Sequence, residues 1–169
     1  KKKIKKILYA SSSSVYGECN DFPYSESNNT IKPISLYGVT KKFNEDLAYS
    51  YHRLFKMSCI GLRFFTVYGP WGRPDMALFK FTSNIQNHKN IDVYNNGNHC
   101  RSFTYISDIV DAIQLLLDKY INKTECINEV LNIGGDQSIN LLDFIKIIEN
   151  KLNLKAEINY LPKQLGDIE

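Results

Sequence analysis

Tyr37 and Lys41 stand four residues apart, and shortly before them runs Ser11-Ser12-Ser13-Ser14-Val15-Tyr16-Gly17. A phenol, an ammonium and a hydroxyl are the parts of a proton-transfer site. A free tyrosine titrates near pH 10, so only about one in a thousand is phenolate at pH 7. A lysine one helical turn away favours the phenolate by direct Coulomb attraction, which lets Tyr37 act as a general base near neutrality. Ser12 can align a substrate hydroxyl by hydrogen bonding to it. With 11 tyrosines in a lysine-rich chain, about one Tyr-x-x-x-Lys pair is expected by chance. The weight of this pair comes from its context, a helix start about 25 residues after a strand that ends in a serine cluster.

The elements that must position these groups follow from the apolar pattern. Ile4 to Ala10 reads as a strand buried on both faces of a parallel sheet, because Ile7, Leu8, Tyr9 and Ala10 form a continuous apolar run; the serines end it. Residues 17 to 35 are polar, broken by Pro23 and Pro33, and read as a surface excursion. Ser35 can cap a helix from Leu36, in which Val39, Phe43, Leu47, Tyr51 and Phe55 recur every fourth position and predict a buried stripe. Tyr37 and Lys41 share one face of that helix. Met57 to Thr66 reads as a second buried strand. Strand, helix, strand is the crossover unit of a parallel sheet, and open α/β sheets place ligands beyond the C-terminal ends of their strands.

Tyr68 to Asp75 is dense in turn residues and carries Trp71 and Arg73, which makes it a candidate binding loop. Met76 to His88 is moderately helical. Ile91–Tyr94 and Arg101–Ile106 predict two short strands around a tight turn at Asn95–Asn98. Ser107 or Asp108 can cap a helix through Tyr120 that buries Ile109, Ala112, Ile113, Leu116 and Leu117. Val130 to Ile133 forms a strand ending in Gly134 and Gly135, Asn140 opens a helix to Leu152, and Glu157 to Leu161 is a last strand. Helices and strands alternate, so the class is α/β.

Composition narrows the function. At 169 residues, 43% hydrophobic and 23% charged, the chain can hold one core or two intimate halves. Its net charge of +3 is spread out except for Lys1-Lys2-Lys3-Ile4-Lys5-Lys6, where no aromatic residues interleave, so no nucleic-acid partner is expected. Cys19, Cys59, Cys100 and Cys126 are far apart and suggest neither a zinc site nor a disulfide framework; a reducing, cytoplasmic setting is expected. His52, His88 and His99 share no ligand-like spacing, so no metal is expected. No apolar run approaches the roughly 20 residues needed to cross a bilayer, and no membrane partner is expected.

The chain resembles the extended short-chain dehydrogenase/reductase family, specifically its NAD-dependent nucleotide-sugar epimerases and dehydratases. The matching stretches are Ser11–Gly17, Tyr37-Gly-Val-Thr-Lys41, Leu62-Arg-Phe-Phe-Thr-Val-Tyr-Gly-Pro70, Arg101-Ser-Phe-Thr-Tyr-Ile-Ser-Asp108 and Asn132-Ile-Gly-Gly135, in the family's order. The resemblance implies the C-terminal half of a Rossmann-like parallel sheet plus a smaller α/β substrate-binding domain. Residues 1–70 would be the second half of the NAD-binding domain. Residues 71–169 would mainly bind the nucleotide sugar, with some segments returning to the sheet. It implies Tyr37 as catalytic base and Lys41 as the group that holds the nicotinamide ribose. Ser12 would hydrogen-bond the sugar hydroxyl with Ser13 beside it, Phe64 and Val67 would lie near the nicotinamide, and Arg101 would contact the diphosphate of a UDP-sugar. Helix 36–56 would pair two subunits into a homodimer.

Dehydratases of this family carry Asp-Glu after the catalytic threonine, where this chain has Ser13 and Ser14, and that favours epimerisation. Phe65 to Ala77 resembles the corresponding loop of UDP-glucuronate 4-epimerases, which implies that Arg73 and Thr66 face a sugar carboxylate. A guanidinium suits that task because it engages a carboxylate through two parallel hydrogen bonds. The alternative is that Arg73 braces its own loop.

A dinucleotide site also needs a glycine-rich turn after its first strand, and no G-x-x-G-x-x-G occurs in the chain. The expectation is therefore a segment that begins near the serine-bearing strand and stops shortly after Gln164–Asp167. Its activity would be that of a longer parent, a NAD-dependent UDP-glucuronate 4-epimerase. The alternatives are another epimerase or dehydratase of the family, or a catalytically incomplete module that binds nucleotide sugar or a partner.

Overall fold

In chain order the elements of the computed structural model, which describes residues 4–135 and 137–163, are β1 (Lys6–Ser12), α1 (Leu36–Phe55), β2 (Ser58–Phe64), β3 (Thr66–Tyr68), α2 (Ala77–Gln86), β4 (Ile91–Tyr94), β5 (Cys100–Tyr105), α3 (Ile106–Ile121), β6 (Asn128–Ile133), β7 (Ser138–Asn140), α4 (Leu141–Leu152) and β8 (Ile158–Leu161). They form two units. One holds the described residues up to Phe65 together with Ser107–Gly134, and the other holds Thr66–Ile106 and those from Gly135 on. Lys1–Lys3 of the basic run and the segment Gln164–Asp167 lie outside the described residues.

The first unit is a parallel sheet in the order β1-β2-β6. β2 is its central strand and, with neighbours on both edges and both faces covered, is buried almost throughout. Ile60 and Leu62 pack with Tyr120 of α3, joined by Leu8, Phe64, Ile113, Leu116, Leu131 and Ile133. Between them Cys59, Gly61 and Arg63 point to the opposite face. A side chain at position 61 would stand 2.6 Å from the Tyr9 hydroxyl, so the glycine makes room for that phenol.

α1 departs from the sequence expectation. It begins where predicted, with Ser35 Oγ accepting from the Gly38 amide at 3.0 Å, and ends at Lys56 in the left-handed conformation, φ 54°. The stripe predicted to be buried is instead exposed: Val39 49%, Phe43 62%, Leu47 44%, Tyr51 45% and Phe55 66%. The inward face carries Gly38, Glu45 and Ala48. Arg63, 3% exposed on β2, takes Glu45 of this inward face as its partner, and a buried guanidinium without a carboxylate would be costly.

The second unit contains the sheet β3-β5-β7 and the parallel pair β4-β8. Its core is Phe81 and Ile85 of α2, Ile91 and Val93 of β4, and Phe144, Ile145 and Ile148 of α4. Asn140 caps α4, its Oδ1 accepting from the Leu142 amide at 2.8 Å. The strand expected over Met57–Thr66 breaks at Phe65, so Thr66 and Val67 belong to β3, beside Phe103 and Thr104 of β5. The expected hairpin of β4 and β5 does not form: β4 pairs with β8, and β5 with β3 and β7. Asn95, Asn96 and Gly97 all take positive φ, giving a turn that carries the chain onward without folding the strands back on each other.

Candidate functional site

β1 runs through Ser11 and Ser12 before the serines turn. Ser12 caps a 3-10 turn over Ser13–Tyr16, its Oγ accepting from the Ser14 amide and donating to Ser14 Oγ, both at 3.2 Å. The first turn of α1 lies directly against this segment. A Cβ at Gly38 would fall 2.6 Å from the Ser14 carbonyl oxygen, so glycine is what permits the approach. Tyr37, beside it, is 54% exposed. Lys41 reaches back to β1, where its Nζ donates to the Ala10 carbonyl at 3.1 Å, and it lies 5.6 Å from the centre of the Tyr37 ring. Phe64, the last residue of β2, is in register with Ser12 on one side and Ile133 on the other. Ser12, Ser13, Tyr37, Lys41 and Phe64 thus gather at the C-terminal ends of the parallel strands.

Beneath them is a buried polar network. Arg63 donates from Nε and Nη2 to the two oxygens of Glu45, each at 2.9 Å, and from Nη1 to Tyr16 Oη at 2.9 Å. Ser11 Oγ donates to Glu45 Oε1 at 2.6 Å, and Tyr16 Oη donates to Asn132 Oδ1 at 2.7 Å. Burial opposes the charge on Arg63, but its hydrogen bonds to Glu45 and Tyr16 outweigh that and raise its pKa above the ordinary value. The Tyr9 and Tyr16 phenols are pushed up, first of all by burial.

In the second unit Thr66, Val67, Arg73 and Arg101 line one cleft of about 390 Å³, a volume within the range of small-ligand sites. Asp75, Asp92, Tyr94 and His99 line it as well. In the sequence Asp75 is only the end of the candidate binding loop and His99 only one of three histidines without ligand-like spacing, while Asp92 and Tyr94 carry no functional reading. His99 is 6% exposed. Asp75 holds Arg73, whose Nε donates to Oδ1 at 3.0 Å while Nη2 pairs with Oδ2. That contact draws the Asp75 carboxyl below the ordinary carboxylate range. Arg101 Nη1 donates to the Cys100 carbonyl at 2.9 Å, and Asn159 Nδ2 to Asp92 Oδ1 at 3.0 Å. Trp71 is fully exposed.

A hydroxyl, a phenol and an ammonium thus stand at the strand ends of a parallel α/β sheet, the place where open α/β folds bind their ligands. The chain belongs to the NAD dependent epimerase/dehydratase family, whose model matches residues 1–134. It is 48% identical to Protein CapI of Staphylococcus aureus, covering 98% of this chain and 53% of that protein. It is 40% identical to a probable UDP-glucuronate 4-epimerase of Rhizobium meliloti, covering 97% of this chain and 52% of that one. A crystal structure of UDP-glucuronic acid 4-epimerase from Bacillus cereus, in complex with UDP-glucuronic acid and NAD, superimposes with a TM-score of 0.89 at 38% identity, over 98% of this chain and 51% of that one. The chain spans about half the length of the curated relatives it matches.

The family's cofactor is NAD. The residues of the first unit that could hold its nicotinamide-ribose end are Lys41, whose ammonium reaches the Ala10 carbonyl two residues before the end of β1, and Phe64 at the end of β2. The sequence has no G-x-x-G-x-x-G motif of the kind that cradles a pyrophosphate. Among the described residues no helix is long and apolar enough to cross a membrane.

Proposed function

We propose that the longer protein carrying this chain is an NAD-dependent 4-epimerase of a UDP-hexuronic acid, interconverting UDP-glucuronate and UDP-galacturonate through a 4-keto sugar. The observation that carries this reading is Lys41 held to Ala10 O one turn from Tyr37, with α1 packed on a serine turn that bears no acidic group. Tyr37 takes the proton of the sugar C4 hydroxyl, and Ser12, with Ser13 beside it, aligns that hydroxyl. Lys41 grips the nicotinamide ribose and stabilises the negative charge that develops on the phenol oxygen. NAD, when bound, supplies reversible oxidation at C4. Phe64 and Val67 flank the nicotinamide, Arg101 binds the diphosphate, and Thr66 with Arg73 reads the sugar carboxylate.

Two copies pair through helix 36–56, whose apolar stripe lies exposed in this chain. The protein works in the cytoplasm, a reading that its free cysteines support.

The test is incubation of the full-length protein with NAD and UDP-glucuronate, read by separation of the uronate epimers. UDP-galacturonate should form, and Tyr37→Phe should abolish it. The pairing of Arg73 with Asp75 favours a second reading, in which Arg73 braces its loop and the substrate is a UDP-hexose whose sugar carries no carboxylate. Conversion of UDP-glucose without UDP-glucuronate would select it.

A further inference from the structure

Tyr37, Lys41 and Glu45 fall at i, i+4 and i+8, along one line of α1. The first two sit over the strand ends, while the third is 8% exposed and takes both oxygens into hydrogen bonds with the 3% exposed Arg63. We infer that the buried Glu45–Arg63 pair sets the rotation and height of α1, and through it the placement of Tyr37 and Lys41 against Ser12. Glu45 and Arg63 are positioning residues. The inference rests on the epimerase reading for its kinetic arm only.

Three observations support it. Each partner adjoins a residue of the strand-end group: Ser11, which donates to Glu45 Oε1 at 2.6 Å, precedes Ser12, and Arg63 precedes Phe64. The third donor of Arg63 goes to Tyr16, the end of the serine turn, which itself donates to Asn132 on β6. The carboxylate therefore ties α1 to β1, to β2 and, through Tyr16, to the turn and β6.

The energetics point the same way. A buried ion pair adds little stability over well-packed apolar residues, since desolvation offsets its Coulomb gain. What it adds is directional geometry, because a bidentate fork accepts one arrangement where apolar packing tolerates sliding. α1 keeps this fork on its inward face, with Gly38 and Ala48, while its apolar stripe faces away. On a helix about 5–6 Å in radius with its side chains, a rotation of roughly 10° moves a tip atom by about 1 Å. A displacement of that size can cost about 100-fold in rate.

The test uses the full-length protein with NAD and compares wild type, Tyr16→Phe, the double variant Glu45→Leu/Arg63→Met, and Tyr120→Phe. The last removes a hydrogen bond of the same unit at the far end of β1, where Lys6 reaches the Tyr120 carbonyl. The double variant should melt within a few degrees of wild type, yet lose 10- to 100-fold in kcat with KM changed less than threefold. Tyr16→Phe should lose threefold to tenfold in kcat, and Tyr120→Phe none. Wild-type kcat in the double variant overturns the inference. Should the double variant fail to fold, Tyr16→Phe against Tyr120→Phe decides, and equal kcat values overturn it. A wild-type protein that turns over no nucleotide sugar sinks the epimerase reading alone. Amide exchange over residues 37–41 then decides, at least tenfold faster in Tyr16→Phe than in Tyr120→Phe if the network holds α1, and equal if it does not.

Discussion

Arg73 and Asp75, two residues apart on the rim of the second unit's cleft, are joined through both carboxylate oxygens. A carboxylate of the protein thus occupies the fork proposed for a carboxylate of the substrate. The pair is exposed, at 75% and 62% of the side chains, so exchanging one carboxylate for another costs little. An aspartate is ionised at neutral pH in any case, and Arg73 lowers the Asp75 pKa further, so Asp75 competes there as a carboxylate. Asp75→Asn is expected to lower KM for UDP-glucuronate twofold to fivefold with kcat unchanged and KM for UDP-glucose unmoved. Steady-state kinetics on both substrates check this, and a raised KM for UDP-glucuronate would mean that Asp75 orients Arg73 rather than competing for it.

What could be read in the sequence was what short-range periodicity encodes. Tyr37 and Lys41 share a face by spacing alone, Ser35 and Asn140 cap the helices they precede, and the apolar run of β1 leads to the serine turn. The inward face of α1 was not readable, because it is chosen by Arg63, 18 residues beyond Glu45 and on another element. Nor was the partner of β4. Asp92 and Asn159 sit opposite each other in the β4-β8 pair across 67 residues, while the adjacent asparagine-rich turn advertises a hairpin. β7 is three residues long with one apolar side chain, too short to carry an alternation. The Asp75 contact with Arg73 depends on the loop's bend and has no periodic signature.

The exposed stripe of α1 gives a test of the proposed dimer. Phe43 is 62% and Leu47 44% exposed, near the middle of a 20-residue helix. Large apolar side chains in such a patch are the central anchors of an interface. Phe43→Glu in the full-length protein should shift sedimentation from dimer to monomer at micromolar concentration while leaving the far-ultraviolet circular dichroism unchanged. An unchanged sedimentation profile would remove α1 from the interface.

Gly38→Ala sets two effects of opposite sign against each other. Alanine is the better helix former by about 1 kcal/mol in a helix interior, and by less in a first turn. Against this, its Cβ would meet the Ser14 carbonyl at 2.6 Å and Pro33 Cβ at 3.1 Å. Backbone cannot swing aside as a side chain can, and overpacking of this kind costs about 1–3 kcal/mol. The clash should win, so urea unfolding should show a net loss of about 1–2 kcal/mol. Since the same shift would lift α1 off the serine turn, kcat should fall as well. A more stable Gly38→Ala protein would show that the turn yields easily.

Tyr120 Oη donates to Glu129 Oε2 at 2.5 Å, and this hydrogen bond, with burial second, pushes the phenol up to about 12. In the unfolded chain a tyrosine titrates near 10. Below about pH 10 the phenol is protonated in both states and its contribution to stability is fully present. Between roughly pH 10 and 12 the unfolded chain loses the proton first, so stability falls as pH rises, and the contribution is gone once the folded phenol ionises too. Glu129 is exposed, and water screens part of the interaction. The drop assignable to Tyr120 is therefore at most about 2 kcal/mol, below the full linkage value for such a shift. Urea unfolding of wild type and Tyr120→Phe at pH 9 and pH 11.5 isolates it, because the other tyrosines titrate alike in both proteins. The stability advantage of wild type should shrink by about 1–2 kcal/mol at the higher pH. An advantage that stays constant would mean that the hydrogen bond to Glu129 does not hold the proton on Tyr120.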